Sequence, residues 1–205
     1  MYAALLDLRH PLLWTVDGAL SPDECAEMIA RIDAAGPSLA PIDQAEGPVV
    51  DIRTRSNSRV MFDDPSLAAR LFERVRGHVP AALQGLRVVG ANERVRCYRY
   101  DVGQRFAPHY DGSFVRDDAE RSLLTLLVYL NDGFSGGETA FPELDRSITP
   151  RAGMALLFQH AILHEGCAVR AGVKYAVRSD VMYRREGPAL EAAPKRPRPA
   201  AGRAP

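Results

Sequence analysis

Three side chains stand out for the chemistry their types and spacing allow: His109, Asp111 and His164. His109 and Asp111 sit either side of one residue in Pro108-His109-Tyr110-Asp111. In an extended segment, residues two apart project to the same face. An imidazole nitrogen and a carboxylate oxygen would then reach one ion. His164, in Leu163-His164-Glu165-Gly166, supplies a second imidazole from a separate segment. Two histidines and a carboxylate on one side of a metal leave the opposite coordination positions open, which is the non-haem iron arrangement that admits oxygen and a cosubstrate together. Zinc accepts the same ligands, and on that reading the triad would serve a hydrolase. A His-x-Asp pair also arises by chance as a surface ion pair, so the surroundings must decide.

The elements that would carry these residues fall into two zones and a tail. Residues 1–90 read as mixed and mostly helical. Ser21 is a good N-cap, Pro22 suits the first helical position and Glu24 completes a capping box. Cys25, Met28, Ile29 and Ile32 follow at helical spacing until Gly36-Pro37 stops the run. A second helix is expected from Asp64-Pro65 through Leu67, Leu71, Phe72 and Val75, with an extended segment before it in VVDIRTRSNSRVMF. Residues 91–186 alternate short apolar runs with glycine and proline breaks. Strands are expected near 93–101, 107–111, 122–130, 138–142, 154–159, 162–169 and 173–183. That spacing predicts a mainly β, α+β domain over 1–186, a sandwich or a barrel-like jelly roll with N-terminal helices in support. The stretch 187–205 is rich in proline, alanine and arginine and is expected to be a disordered tail.

Composition narrows the partners. The 205 residues suffice for one substantial core, and 26 basic against 26 acidic residues leave no overall charge to attract nucleic acid or an anionic membrane. The three cysteines, Cys25, Cys97 and Cys167, are far apart and odd in number, as expected of reduced thiols in a reducing compartment. No apolar run reaches membrane-spanning length, and the N-terminus lacks a basic start and a small-residue cleavage site. A cytoplasmic location is the expectation.

The surroundings of the triad carry further motifs. They run Tyr100-Asp-Val-Gly103-Gln104-Arg-Phe106-Ala-Pro108-His109-Tyr-Asp111, then Leu-Val-Tyr129-Leu130-Asn131-Asp132 and Gly136-Gly137-Glu138-Thr139-Ala-Phe141-Pro142. Gly153-Met-Ala-Leu-Leu157-Phe158, Leu163-His164-Glu165-Gly166 and Gly172-Val-Lys174-Tyr175-Ala-Val-Arg178-Ser-Asp180-Val-Met-Tyr183 complete the series. In order and separation, residues 92–184 resemble the prolyl 4-hydroxylase-like branch of the Fe(II)/2-oxoglutarate-dependent dioxygenase superfamily. The resemblance implies a double-stranded β-helix (jelly roll, cupin-like). It implies hydroxylation of an unactivated C–H bond of a peptidyl or free amino acid, while 2-oxoglutarate and O2 become succinate and CO2. Proline is that family's commonest substrate. Implied cofactors are Fe(II), 2-oxoglutarate as cosubstrate and O2, with ascorbate as a reductant. Residue by residue, it puts the metal on His109, Asp111 and His164, and the distal carboxylate of 2-oxoglutarate on Lys174. Tyr100, Tyr129 and Thr139 would line the cosubstrate pocket. In related halogenases a small residue replaces the carboxylate ligand; Asp111 is present here, which favours oxygenation.

Strand geometry bears on Lys174 separately. If Arg170-Ala171-Gly172 is a three-residue hairpin loop, residue 169 pairs with 173 and His164 lies opposite Arg178. Alternation then puts Lys174, Ala176 and Arg178 on the face of His164, with Lys174 about 13 Å along the strand at about 3.3 Å per residue. Arg178 would either contact a substrate carboxylate or the metal-bound end of 2-oxoglutarate, or form an internal ion pair with Asp180 or Glu138.

Other features point less sharply. Gly136-Gly137-Glu138-Thr139 lacks the Gly-Lys-Ser/Thr ending of a phosphate loop. Cys167 reads as packing, and His160 and His78 lack partners at ligand spacing. Arg55, Asn57 and Arg59 would form either a substrate rim or a solvated loop, and the basic tail a solubilising appendage. Segments 40–58 and 112–121 are lid candidates, with Phe114 or Arg116 meeting substrate, which would be an amino acid, a peptide or another small molecule. A metal-dependent hydrolase on the same triad and a non-catalytic jelly-roll binding module remain as alternatives at this point. Oligomeric state is not readable from the sequence.

Overall fold

In a computed structural model, both helices begin where their caps direct. Pro22–Ala34 starts at Ser21, whose hydroxyl accepts from the Glu24 backbone N–H while the Glu24 carboxylate accepts from the Ser21 N–H. Pro65–Val75 starts at Asp64, whose carboxylate accepts from the Leu67 N–H and pairs with Arg31 of the first helix. The structure describes residues 5–44 and 47–186. The tail expected at 187–205 and part of the 40–58 lid candidate lie outside the described residues.

The strands form antiparallel sheets. A nine-stranded sheet runs Leu13–Val16, Ala155–Gln159, Glu120–Tyr129, Lys174–Arg184, Arg94–Tyr100, Ser58–Asp63 and Ser38–Leu39; Leu86–Ala91 pairs with the far half of Lys174–Arg184 and with Ala82–Leu83. A four-stranded sheet runs Arg146–Ile148, Thr139–Phe141, His164–Gly166 and Phe106–His109. Alternation divides the central strands between two cores. Leu124, Leu126, Val128, Cys97, Tyr175 and Val177 join the helical residues Met28, Ile32, Leu67 and Leu71. Tyr129, Phe158 and Ala176, one residue out of phase, face the second core with Phe141. A strand buried on both faces has no polar side to show, which is why SLLTLLVY is almost wholly apolar.

Two expectations need correction. Residues 1–90 are not mostly helical: Leu13–Val16, Ser58–Asp63 and Leu86–Ala91 are strands of the large sheet. The strand expected at 162–169 is two, His164–Gly166 and Val169–Ala171, and neither pairs with Lys174–Arg184. The three-residue hairpin therefore does not exist, and His164 faces His109 rather than Arg178. Lys174, Ala176 and Arg178 nonetheless share one wall with His164, because the two sheets face each other across the pocket.

Candidate metal centre

Cross-strand pairing builds the triad. His164 lies directly opposite His109 in the small sheet, and their ring centroids are 4.3 Å apart. Asp111 follows just past the strand's end, its backbone N–H donating to the His160 carbonyl at 3.3 Å. One ligand atom from each of the three residues lies within 4.8 Å of the others.

The donor set fits a divalent cation. Nδ1 of His109 bonds to the Ala107 carbonyl at 2.8 Å and Nδ1 of His164 to the Ile162 carbonyl at 3.0 Å. A carbonyl only accepts, so each ring carries its proton on Nδ1 and points an Nε2 lone pair at Asp111, 3.8 Å and 3.6 Å away. Burial pushes His109 down to about 4 and lowers His164 as well, so both rings are neutral and ready to ligate near pH 7. Burial alone would raise Asp111; the adjacent Arg178 outweighs it and holds the carboxyl well below the usual range.

Asp111 is held from both sides. Arg178 Nη1 donates to Oδ1 at 2.7 Å, and Thr125 Oγ1 donates to Oδ2 at 2.6 Å. A carboxylate oxygen accepts twice, so each keeps a lone pair for a metal. The Thr125 hydroxyl has spent its one proton, so it accepts from His160 Nδ1 at 3.0 Å. His160 Nε2 in turn accepts from Ser122 Oγ at 2.8 Å, and Ser122 accepts from the Phe114 N–H. Burial drops His160 to about 4, which keeps this chain in its neutral form.

Arg178 also reaches Asp180 at 3.1 Å, and Arg96 pairs with Asp180 at 3.0 Å. Of the two ion-pair partners expected for Arg178, Asp180 is realised. Glu138 is not: it pairs with Arg170 at 3.5 Å. The contact with Asp111 was not foreseen.

A deep pocket runs from the triad between the sheets, lined by Tyr100, Thr139, Lys174 and Ala176 among others. Lys174 is 2% exposed, and its ammonium donates to the Gly137 carbonyl at 2.6 Å. Its Nζ lies 5.1 Å from the centroid of Tyr100 and 5.3 Å from that of Tyr129. Desolvation brings it down to about 8. Gly136 and Gly137 hold consecutive left-handed φ angles of 74° and 68°, and a Cβ on Gly136 would strike the Ala168 carbonyl oxygen at 2.4 Å. That turn aims the Gly137 carbonyl at the lysine. Tyr129 stands behind the wall, its hydroxyl bonded to Thr139 Oγ1 at 2.7 Å.

Outward of the triad a second cavity of about 570 Å³ opens. It shares Tyr98, Phe106, His109, Asp111 and Arg178 with the deep pocket. Phe106 stacks on His109 with centroids 3.5 Å apart. Arg55 and Asn57 are buried, which excludes the solvated-loop reading. Phe114 lines this cavity, whereas Arg116 turns away to Glu93 and Glu120. Sequence reasoning missed Thr125, His160, Phe106 and Tyr98. Thr125 left one signal, a threonine set between leucine pairs in a mostly apolar strand, in phase with Leu127 and Tyr129.

Comparison with known proteins agrees with this geometry. Residues 95–179 match the family described as the 2OG-Fe(II) oxygenase superfamily. A probable prolyl 4-hydroxylase 3 of Arabidopsis thaliana is 27% identical over 202 residues, spanning 82% of this chain and 68% of that protein. The viral collagen prolyl hydroxylase of Paramecium Bursaria Chlorella virus-1, solved with 2-oxoglutarate, superposes with a TM-score of 0.63 at 23% identity, covering 85% of this chain and 97% of its own. A Trichoplax adhaerens prolyl hydroxylase, solved with a peptide of hypoxia inducible factor, gives a TM-score of 0.63 at 18% identity, covering 85% and 84%. The faced sheets are thus the double-stranded β-helix, and residues 95–179 carry the match to the 2OG-Fe(II) oxygenase superfamily, with prolyl 4-hydroxylases among the proteins this chain resembles.

Proposed function

We propose that this protein hydroxylates an unactivated C–H bond of a peptidyl or free amino acid, with Fe(II) on His109, Asp111 and His164 and 2-oxoglutarate anchored by Lys174. The observation that carries the reading is the pairing of a neutral two-histidine, one-carboxylate cluster with a single buried ammonium at the other end of one pocket. When bound, Fe(II) with 2-oxoglutarate and O2 supplies the oxidising power that converts C–H to C–OH as 2-oxoglutarate becomes succinate and CO2. The chain's own residues do the rest. Lys174 offers the distal carboxylate a charged partner, without which a desolvated anion would be costly. Tyr100 and Thr139 wall the cosubstrate's path. The Ser122–His160–Thr125 chain and Arg178 fix the Asp111 carboxylate in place. The outer cavity is the place for the substrate, beside the same ligands. A hydrolase would leave the buried Lys174 without a purpose.

The test is to incubate the reduced, Fe(II)-loaded protein with 2-oxoglutarate in air, with and without a panel of amino acids and peptides. Succinate above the metal-free background is expected, with coupled oxygen uptake. If 2-oxoglutarate neither binds nor is consumed across the panel, the proposal fails.

A further inference from the structure

The outer cavity has a charge pattern the oxygenase reading alone does not require. Its wall carries four arginines, Arg55, Arg59, Arg96 and Arg178, and among the described residues Asp111 is the one carboxylate on it. Arg178 and Arg96 are already matched, by Asp111 and Asp180. Arg55 is not. It is 5% exposed, its Nε donates to the neutral amide oxygen of Asn57 at 2.9 Å, and no ion pair reaches it among the described residues. Its buried Nη2 has no hydrogen-bond partner.

The position of Arg55 is fixed. Its backbone N–H donates to the Asp51 carbonyl at 2.8 Å, and the residue bridges Phe106. The guanidinium lies 4.3 Å from the centroid of Phe106 and 5.0 Å from that of Tyr98. Phe106 is itself stacked on His109, so Arg55 stands one aromatic ring away from a ligand of the triad. Aromatic faces stabilise a desolvated cation far less than a carboxylate does. A guanidinium cannot shed its proton to escape the cost of burial. Arg55 lines the outer cavity, and a rigid, buried, charged fork with an unused N–H at such a wall is built for an anion.

We infer that the outer cavity takes a small substrate bearing a carboxylate, which Arg55 receives while the carbon to be oxidised lies over His109, Asp111 and His164. The inference rests on the oxygenase reading for the chemistry but not for the binding. It names the substrate class as small carboxylic acids, N-acylated or free amino acids included, and makes Arg55 the residue that selects them. The cavity, about 570 Å³, is of small-molecule size.

The experiment compares acids with their own amides, so that one charge changes and shape does not. N-acetyl-L-proline, N-acetyl-L-leucine and N-acetyl-L-phenylalanine and their carboxamides are titrated by calorimetry into the Fe(II)-loaded full chain under nitrogen. Saturating 2-oxoglutarate keeps the acids off Lys174, and its own binding is measured first. At least one acid is expected to bind about tenfold or more tightly than its amide, as for a hydrogen-bonded charge, and Arg55→Gln should bring that ratio to near one. A ratio near one for every pair in the wild type overturns the inference, as does a preference that survives Arg55→Gln. Should that variant not fold, the wild-type ratio decides alone. Acid preference without 2-oxoglutarate binding would strike the oxygenase reading only; 2-oxoglutarate binding without acid preference would strike the carboxylate seat only.

Discussion

Inward of His109, Asp111 and His164 the protein places one ammonium, Lys174, beside the rings of Tyr100 and Tyr129; outward it places four arginines around an open cavity, with Arg178 lining both spaces. Lys174 is held by one backbone carbonyl and two ring faces, and burial brings it down to about 8. Arg178, part-buried on the same strand, is raised instead, because Asp111 and Asp180 outweigh its desolvation. Burial weakens a lysine's charge and leaves an arginine's intact. The charge of the inner seat therefore depends on its surroundings, whereas Arg96 and Arg178 on the outer wall are set in advance by their own ion pairs.

The contrast can be broken at several points. The largest effect is expected at the boundary itself. His109→Ala should abolish Fe(II)-dependent succinate formation, exceeding the roughly 10–100-fold loss typical of residues that merely support a ligand. Residual turnover above one-hundredth of wild type would remove His109 from the metal. Next comes Lys174→Met, which strips the inner seat of charge. It should weaken 2-oxoglutarate binding by at least about thirtyfold, the low end of the 2–5 kcal/mol for losing a buried charge partner. An unchanged affinity by calorimetry would move the anchor elsewhere. Thr125→Val removes the hydrogen bond to Asp111 while keeping the shape, and should cost roughly 10–100-fold in Fe(II) affinity. Equal affinities would mean that Arg178 holds the carboxylate unaided.

The most gradual effect concerns pH. Below about 8 Lys174 carries its proton in the free protein; above it the amine is neutral and must regain a proton to pair with a carboxylate. Affinity for 2-oxoglutarate should thus fall as pH rises past 8, by up to about tenfold per unit, since one proton is linked to binding. Lys174→Arg, always charged, should flatten that profile. A flat wild-type profile from pH 7 to 10 would mean that the ammonium does not titrate there.

What could be read from the sequence follows the range of the forces involved. Both helices are legible at Ser21 and Asp64, because caps act within one turn. His109 and Asp111 are legible because a spacing of two is a property of a single extended segment. The partner of His164 is not, because sheet pairing joins residues far apart in the chain; a hairpin with Lys174–Arg184 is locally reasonable, yet the strand crosses to Phe106–His109. The inward face of Lys174 was right for the wrong reason. His160 looked isolated because its partners, Ser122 and Thr125, lie more than thirty residues away. Of the three N-terminal strands, Ser58–Asp63 falls in the segment read as extended, while Leu13–Val16, only 4 residues long, is too short to show a period.

The strand that bears Lys174 has a further consequence. Lys174, Ala176 and Arg178 occupy alternate positions on one wall, with the smallest of the three in the middle. Lys174 and Arg178 stand about 13 Å apart along the backbone at about 3.3 Å per residue, and the methyl of Ala176 leaves the interval open. The strand thus works as a ruler. On the proposed anchoring by Lys174, a dicarboxylate one carbon shorter or longer than 2-oxoglutarate is expected to reach the ammonium and the metal ligands less well, which makes cosubstrate choice a question of length as much as of charge.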